Sequence, residues 1–164
     1  MKKIPLTQGK YALVDNEDFH RLSGHKWVYN SRGYAVREVR LKEWRVSSES
    51  GRLYETLLMH RVILNPPAGM DIDHINHNGL DNRKGNMRIC TRSQNLWNKR
   101  KARKSKYKGV HRASGKFYAS IMRDGKVYYL GTYATGKEAA LAYDNKALEL
   151  FGEYANPNFT KNAD

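Results

Sequence analysis

The 164 residues are enough for one domain or two small ones. Lys and Arg number 30 against 16 Asp and Glu, and the net charge of +14 favours nucleic acid or an anionic membrane as the partner. No apolar run approaches the roughly 20 residues that span a bilayer, no apolar stretch suits a signal peptide, and the single cysteine, Cys90, excludes an internal disulfide. We therefore expect a protein of a reducing cytoplasm with no membrane partner.

Strands and a short helix are predicted in the first part of the chain. The runs "YALVD" and "YAVREV" are rich in β-branched and aromatic residues, which favour strands. Between them, "DNEDFHRLSG" predicts a short helix, with Asp15 or Asn16 as its cap and Gly24 near its end. The later apolar run "LYETLLMHRVIL" is interpreted as a strand followed by a helix.

The segment from Met70 to Asn86, "MDIDHINHNGLDNRKGN", holds three Asp, two His and four Asn. So many short polar side chains are more than a turn requires, which indicates a chemical role. A short strand, "MRICT", is predicted after it. A helix is expected to start at Thr91, because Thr91 and Gln94 have the spacing of a capping box, and to run into the basic stretch "NKRKARKSKYK".

This basic stretch has two interpretations. It is either a solvated helix end and linker or a segment that contacts the phosphates of a nucleic acid. The net charge of the whole chain leads us to favour the phosphate-contacting segment. Its basic residues are Lys99, Arg100, Lys101, Arg103, Lys104, Lys106 and Lys108.

The last third predicts three strands and one helix. The runs "YKGVHR", "KFYASIMRD" and "VYYLGTY" are strand-like, and Asp124-Gly125 between the last two is a strong hairpin signal. In "TGKEAALAYDNKALELFG", Thr135 and Glu138 have the spacing of a capping box, and Gly152 is placed for a carboxyl-terminal cap.

Apolar residues at every fourth position of this helix predict a stripe that covers one face of the sheet. Side chains alternate along a strand, so the two faces of the sheet can be assigned. The residues predicted to face the helix are Phe117, Ala119 and Ile121. The residues predicted to lie on the opposite, open face are Tyr118, Ser120, Met122 and Tyr129. The open face is the expected binding surface.

The first part of the chain resembles the HNH endonuclease family, in the form found in phage and intron-encoded homing endonucleases. The runs "MHRVI", "DIDHINHNGLDNRKGNMRICT" and "SQN" carry the resemblance, which extends to "IPLTQGKYALVD". Asp73-His74, Asn86 and Asn95 fall in the family's order, with Asn95 in place of a His, a variation that this subgroup shares. The resemblance implies two strands joined by a polar loop and a helix that closes over a metal.

Residues from about Ser105 to Phe159 resemble the APETALA/ethylene-response-factor DNA-binding domain of plants. The runs "YKGVHR", "KFYASI", "YYLGTY", "KEAALAYDNKALELFG" and "NPNF" carry this resemblance. It implies a three-stranded sheet that reads the major groove. The plant domains present several Arg and Trp from the sheet, and this sequence differs there, so the plant target sequence is not implied. The matching positions here are Lys108, His111, Ser120, Met122 and Tyr129.

Cleavage of a phosphodiester needs an activated water, relief of the phosphate charge and stabilisation of the leaving 3′-oxygen. A hard divalent cation supplies the last two and prefers oxygen ligands. Asp73 is the predicted charged ligand and Asn95 a neutral carbonyl ligand, and the expected ion is Mg²⁺ or Mn²⁺. His74 is the predicted base, because the ordinary pKa of an imidazole, about 6.5, lies near working pH.

Adjacent side chains of a strand point to opposite faces. If Asp73 and His74 serve one site, the pair must lie at a strand end or a distorted step, which we expect at Ile75-Asn76. Asn86 is predicted to tie the loop together by hydrogen bonds and to hold His74 in one orientation. His60 is expected to pack or to touch phosphate, and His77 to be a loop residue.

Three other functions compete with the nuclease. A structural zinc site built from His74, His77 and Cys90 lacks a fourth ligand, and structural zinc sites close with four. A DNA-binding regulator could keep a nuclease-like scaffold without catalysis. An RNA-binding protein is disfavoured, because the sheet lacks the aromatic ribonucleoprotein motifs used for stacking.

We therefore predict an α+β protein with a ββα-metal nuclease domain (1–98, including a β-rich extension), a basic linker (99–106) and a three-stranded antiparallel sheet packed on one helix (107–160). The expected function is metal-dependent, homing-type cleavage of double-stranded DNA in a bacterial cytoplasm, by a protein encoded in a phage or an intron. Whether it acts as a monomer or as a dimer on DNA is left open. The predicted DNA-contacting residues are Lys99, Arg100, Lys101, Arg103, Lys104, Lys106, Lys108, His111, Arg112, Lys116, Tyr118, Ser120, Met122, Arg123 and Tyr129.

Overall fold

The chain combines antiparallel strands with α-helices, which agrees with the predicted α+β class. A computed structural model describes residues 1–40, 54–99 and 106–159. The chain forms two units, Met1–Thr91 and Arg92–Asp164. The predicted nuclease domain, 1–98, extends past this division, and its boundaries stay predictions. Within the described ranges, no helix is both long and apolar enough to cross a membrane.

In the described part of the first unit, 1–40 and 54–91, the chain forms short antiparallel strands and two helices. The strands are β1 (Lys2–Pro5), β2 (Tyr11–Val14), β3 (Val28–Tyr29), β4 (Ala35–Arg40), β5 (Tyr54–Leu58), β6 (Asp71–His74) and β7 (Met87–Cys90). The helices are α1 (Asn16–Ser23) and α2 (Met59–Leu64). β1 pairs with β2, β4 lies between β3 and β5, and β6 pairs with β7.

One hydrophobic core connects the elements of the first unit, and it includes Ile4 from β1, Leu22 from α1 and Met59 from α2. Trp27 is also in this core, and its indole Nε1 donates to the carbonyl of Leu22 at 2.9 Å, which satisfies the buried polar group. The predictions of β2, β4 and α1 are confirmed, as is the order of strand then helix in "LYETLLMHRVIL".

The described residues of the second unit form two α-helices and a three-stranded antiparallel sheet. The helices are α3 (Arg92–Trp97) and α4 (Gly136–Phe151). The strands are β8 (Val110–Ala113), β9 (Lys116–Arg123) and β10 (Lys126–Tyr133), with β9 in the middle.

Two tight turns define the register of this sheet. Asp124 and Gly125 have φ angles of 51° and 77°, and Ser114 and Gly115 have 49° and 77°. Positive φ at both central residues is the geometry of the two-residue turns that join right-twisted strands. The predicted hairpin at Asp124-Gly125 is therefore confirmed.

α4 has the predicted capping box, in which the Thr135 side chain accepts from the Glu138 backbone N–H and the Glu138 carboxylate accepts from Thr135 N–H. Its buried residues form one hydrophobic cluster with residues of β9. The buried members of that cluster are Ala119, Ile121, Ala139, Tyr143, Ala147 and Phe151. On the other side of the sheet, Met122 and Tyr129 are each 64% exposed.

α3 is shorter than predicted. It ends at Trp97 and does not continue into the basic stretch, whose residues 100–105 lie outside the described residues. The N–H of Lys99 donates to the carbonyl of Leu96 at 3.2 Å, a tighter turn that ends the helix. The Trp97 ring stacks on Phe151 at 4.6 Å between centroids, so α3 packs within the second unit.

Candidate active site

The loop between β6 and β7 is held together by its own amide side chains. The Asn86 Nδ2 donates to the Asp81 carbonyl at 2.8 Å and to the Asn76 Oδ1 at 3.0 Å, and the Asn86 Oδ1 accepts from the Asn76 N–H at 3.1 Å. The Asn86 carbonyl also accepts from the N–H of Ile75 at 2.9 Å. Short polar side chains replace backbone partners that a sheet would provide, which explains why this segment is rich in Asn.

Asp81 is a buried carboxylate at the centre of the same loop, 2% exposed. Arg83 donates to it through Nε and Nη2, both at 2.7 Å, and Asn76 donates through Nδ2 at 2.9 Å. The hydrogen bond from Arg83 is the main reason that the pKa of Asp81 lies below its ordinary value. A buried charge is tolerated here because it is paired and hydrogen-bonded.

Asp73 is 5% exposed and lies opposite Arg88 in the β6–β7 pair. The Arg88 guanidinium donates to the Asp73 Oδ2 from Nε at 2.9 Å and from Nη2 at 2.7 Å. Two donors that converge on one oxygen fix the position of that oxygen. The carboxylate predicted as the metal anchor is thus oriented by a cross-strand arginine.

His74 is the last residue of β6, so the Asp73-His74 pair lies at a strand end and Ile75-Asn76 lie in the following turn. His74 is 6% exposed, and its Nε2 is 3.0 Å from the Oδ1 of Asn82. Burial lowers the pKa of His74 below its ordinary value, while the bond to Asn82 and the nearby carboxylates of Asp73 and Asp81 oppose the shift. The ring is therefore neutral at neutral pH, the form that can accept a proton.

Two further rings border His74. The His60 ring lies edge-on to it with centroids 5.3 Å apart, and Tyr34 lies 5.9 Å away. Burial, followed by the proximity of His74 and Arg61, lowers the pKa of His60 to about 4. His60 is therefore a neutral aromatic neighbour of His74 at neutral pH.

Gly79 allows Tyr34 to lie where it does. A Cβ added at Gly79 would lie 2.7 Å from the Gly33 carbonyl and 2.7 Å from the Tyr34 ring. Any larger side chain at this position would displace the Tyr34 ring. The glycine of the "NHNG" turn is therefore needed for Tyr34 to lie beside His74.

Asn95, the second predicted metal ligand, is a half-buried residue of α3 in the second unit. α3 is held there by the stacking of Trp97 on Phe151 and by Lys108, whose Nζ donates to the Trp97 carbonyl at 2.8 Å. That Asn95 and Asp73 bind the same metal ion stays a prediction from the motif.

The oxygen donors of Asp73 and Asn95 fit a hard divalent cation by their chemistry. Among the described residues, no three His, Cys, Asp or Glu side chains are grouped as a metal site of those residue types would require. Of the zinc alternative, Cys90 is buried, its Sγ lies 3.8 Å from the Asp71 carbonyl, and burial raises the pKa of its thiol to about 11. His77 lies in the turn after His74, with a φ of 60°.

The open face of the second unit carries a different group of side chains. The His111 and Tyr118 rings are stacked at 4.9 Å, and the His111 Nε2 is 3.2 Å from the Ser120 hydroxyl. Tyr129, from the adjacent strand, lies 6.4 Å from Tyr118. The structure thus brings together four of the predicted DNA-contacting residues, and Met122 is exposed on the same strand as Tyr118 and Ser120.

The basic residues predicted to contact DNA do not all point the same way. Lys108 binds the Trp97 carbonyl, and burial lowers the pKa of its ammonium to about 8. The Arg123 Nη1 donates to the Leu150 carbonyl at 2.9 Å, and Arg112 lies over the Phe117 ring. These three side chains contact their own unit, so DNA contacts from them stay predictions. Lys99, Lys106 and Lys116 are exposed, while Arg100, Lys101, Arg103 and Lys104 lie outside the described residues.

Sequence reasoning did not single out Asn82, Arg88 or Tyr34. Asn82 and Arg88 both lie in the "LDNRKGNMR" run that carries the motif, and their position in this run could have indicated them. Asn82 contacts the His74 Nε2, whereas Asn86 bonds the loop around it.

Comparison with known proteins relates the first part of the chain to nucleases. The sequence model of a family described as HNH endonuclease matches residues 65–96. An uncharacterized HNH endonuclease of Acanthamoeba polyphaga mimivirus is 32% identical over 154 residues, which cover 92% of this chain and 76% of that protein. The similarity therefore extends far beyond the polar loop and its flanking strands.

Plant transcription factors match about a third of the chain. An AP2-like ethylene-responsive transcription factor of Arabidopsis thaliana is 51% identical over 59 residues, or 34% of this chain and 17% of that protein. Another ethylene-responsive transcription factor of that plant is 42% identical over 64 residues, or 35% of this chain and 40% of that protein. Each match spans less than half of the plant protein, and together they support a DNA-binding domain.

Proposed function

The chain belongs to the HNH endonuclease family, and we propose that it is a metal-dependent endonuclease that hydrolyses phosphodiester bonds at a specific site in double-stranded DNA. The observation that carries the proposal is the strand end at which the buried Asp73 and His74 are each held by a separate partner, Arg88 and Asn82. Two oriented, buried polar groups at a strand end are suited to catalysis rather than to simple surface solvation.

In the proposed reaction, His74 accepts a proton from water. The electron pair of the broken O–H bond forms a bond from the water oxygen to phosphorus. The bond between phosphorus and the 3′-oxygen breaks, and its electron pair leaves on that oxygen. Burial keeps His74 neutral before the reaction, and Asn82 holds its ring. Arg88 orients the neighbouring carboxylate of Asp73.

Asp73 and Asn95 are the residues that would hold a Mg²⁺ or Mn²⁺ ion. The bound cation would relieve the charge on the phosphate and stabilise the leaving 3′-oxygen. The two hydrogen bonds from Arg88 hold the Asp73 Oδ2 in position, which limits the rearrangement needed on metal binding.

The second unit supplies DNA affinity in this proposal. Its open face presents His111, Tyr118, Ser120 and Tyr129, aromatic and hydrogen-bonding groups that can contact base edges. The basic stretch from Lys99 to Lys108 would contact phosphates. The homing type and the origin in a phage or an intron of a bacterial host are part of the same proposal and rest on the motif.

A plasmid assay tests the proposed function. The purified chain is incubated with supercoiled plasmid in Mg²⁺ and, in parallel, with a chelator. Nicked or linear product that requires the metal and is lost in Asp73→Ala supports the endonuclease. Intact plasmid under all conditions, together with retained binding to the same DNA, would instead support a regulator that has kept the nuclease scaffold.

A further inference from the structure

Asn82 joins His74 to the first residue of α2. It is completely buried, at 0% exposed, and lies in the loop between β6 and β7. Its Oδ1 is 3.0 Å from the His74 Nε2, and its Nδ2 is 3.5 Å from the Sδ of Met59. Met59 is also 0% exposed, so water does not compete for either contact.

The sulfur of Met59 determines which way the Asn82 amide faces. A thioether has lone pairs but no hydrogen, so it can only accept a hydrogen bond. The amide NH₂ therefore faces the sulfur, and the amide oxygen faces His74. The flipped amide would place its oxygen against the sulfur, two acceptors in contact in a dry interior, at an energetic cost.

The amide oxygen in turn determines the position of the hydrogen on the imidazole. Because this oxygen can only accept, the His74 Nε2 must carry the hydrogen, and the lone pair of the neutral ring is then on Nδ1. We propose that Met59 and Asn82 are positioning residues that fix His74 in the Nε2–H tautomer, so that Nδ1 accepts the proton of the attacking water. The choice of Nδ1 rests on the proposed function of His74 as the base.

The backbone of Asn82 is itself held by the amino-terminal hairpin. The Asn82 N–H donates to the Leu13 carbonyl at 2.8 Å, and the Leu13 N–H donates to the Leu80 carbonyl at 2.8 Å. Leu13 belongs to β2, far from the motif in sequence. The β1–β2 hairpin therefore contributes to the positioning of His74, although it supplies no group to the chemistry.

The test is the ¹⁵N spectrum of the histidine rings in the full chain, labelled at histidine and measured without DNA at a pH above the ordinary imidazole pKa. His74→Gln identifies the His74 signals by their loss. The expected spectrum places the hydrogen of His74 on Nε2 and the lone pair on Nδ1. A hydrogen on Nδ1 in the unmodified protein would overturn the inference.

Three variants separate the roles of the two positioning residues. Asn82→Asp keeps an acceptor and should keep the Nε2–H tautomer, whereas Asn82→Leu, of similar size, should give both tautomers. Met59→Leu removes the sulfur but nearly conserves the side-chain volume. The Asn82 amide could then face either way, so this variant should also give both tautomers of His74. Single-turnover cleavage should fall by about 10- to 100-fold in Asn82→Leu, the usual loss when the partner that orients a functional histidine is removed, and by less in Asn82→Asp.

The two proposals fail in different ways. If Asn82→Leu keeps the single tautomer of the unmodified protein, the positioning inference is wrong, whatever the cleavage result. If the Nε2–H tautomer and its loss in Asn82→Leu are observed but no DNA is cut under any metal condition, the tautomer assignment stands. The proposed role of Nδ1 and the proposed function then fail.

Discussion

A histidine beside a tyrosine occurs in both units, in opposite environments. In the first unit, His74 is 6% exposed, its centroid lies 5.9 Å from that of Tyr34, and its Nε2 bonds a completely buried amide. In the second unit, the His111 and Tyr118 rings are stacked at 4.9 Å on the open face of the sheet, where His111 is exposed. The same two residue types are therefore suited to different functions in the two units.

Burial makes the difference. A ring enclosed by protein is held neutral and in one orientation, which suits proton transfer at one atom. A ring on an open face can stack on a partner or donate to it, which suits recognition. We therefore expect substitutions in the first unit to affect the rate of cleavage and substitutions on the open face to affect the choice of DNA.

The largest expected effect follows from Asp73→Ala, which removes the proposed charged ligand and the carboxylate that Arg88 contacts. Cleavage in Mg²⁺ or Mn²⁺ should be abolished, while DNA binding should change only several-fold. Asp71→Ala, two residues earlier on the same strand, is the matched control. Cleavage by Asp73→Ala at the unmodified rate would remove Asp73 from the site.

The next effect is that of His74→Ala. The single-turnover rate should fall by about 10²- to 10⁴-fold, the usual contribution of a positioned general base. His77→Ala, in the adjacent turn, serves as the control and should cleave within a few-fold of the unmodified rate.

The pH dependence of the unmodified enzyme adds a second measurement. Because burial lowers the pKa of His74 below the ordinary imidazole value, the rate should stay level through neutral pH and fall only at a more acidic pH, where the ring gains a proton. If His74→Ala still cleaves and keeps the pH profile of the unmodified protein, the role would move to another base such as His60 or His77.

A third prediction concerns stability. The pKa of His60 is about 4 in the fold and 6.5 when solvated, so the unfolded chain binds more protons between these values. Stability is therefore fully present above pH 6.5 and is lost as the pH falls towards 4, by about 3 kcal/mol if the whole shift is realised.

Hydrogen exchange of core amides of the first unit, measured from pH 7 to 4.5, would report this loss. His60→Gln cannot gain the proton and should lose less stability over the same range. His25→Gln changes an exposed histidine and should behave as the unmodified protein does. An equal loss in His60→Gln would show that His60 does not titrate in this range.

The smallest effect is expected from the basic stretch. Each phosphate contact contributes about 0.9 to the slope of log affinity against log salt concentration. Neutralising Lys101, Arg103 and Lys104 together should flatten that slope without moving the position of the cut. A binding titration at several salt concentrations checks the slope, and an unchanged slope would show that these residues do not contact phosphate.

Local signals in the sequence were sufficient for much of the fold. Asp124-Gly125 predicts a turn because its residues tolerate positive φ, and Thr135 with Glu138 predicts a helix start because each side chain caps the other's backbone. These interactions lie within four residues of each other, so no knowledge of the tertiary structure is needed.

The surroundings of the candidate site needed the tertiary structure. Arg88 meets Asp73 only through the register of β6 against β7, and Asn82 meets His74 only because the loop folds back between Met59 and β2. The orientation of Arg123 could not be predicted from the sequence either. A count of charges does not show whether a guanidinium points to solvent or to the Leu150 carbonyl.

One paired measurement tests the division of labour most directly. The cut site is first mapped on the genomic DNA that flanks the gene. Asp73→Ala and the double variant Tyr118→Ala/Tyr129→Ala are then compared with the unmodified protein. The two measurements are DNA binding and single-turnover cleavage at saturating protein. We predict that Asp73→Ala still binds the site in preference to scrambled DNA but does not cut. The tyrosine variant should lose that preference yet still cut once bound. If Asp73→Ala loses the preference, or the tyrosine variant keeps it and cannot cut, cleavage and recognition are not divided between the two units in this way.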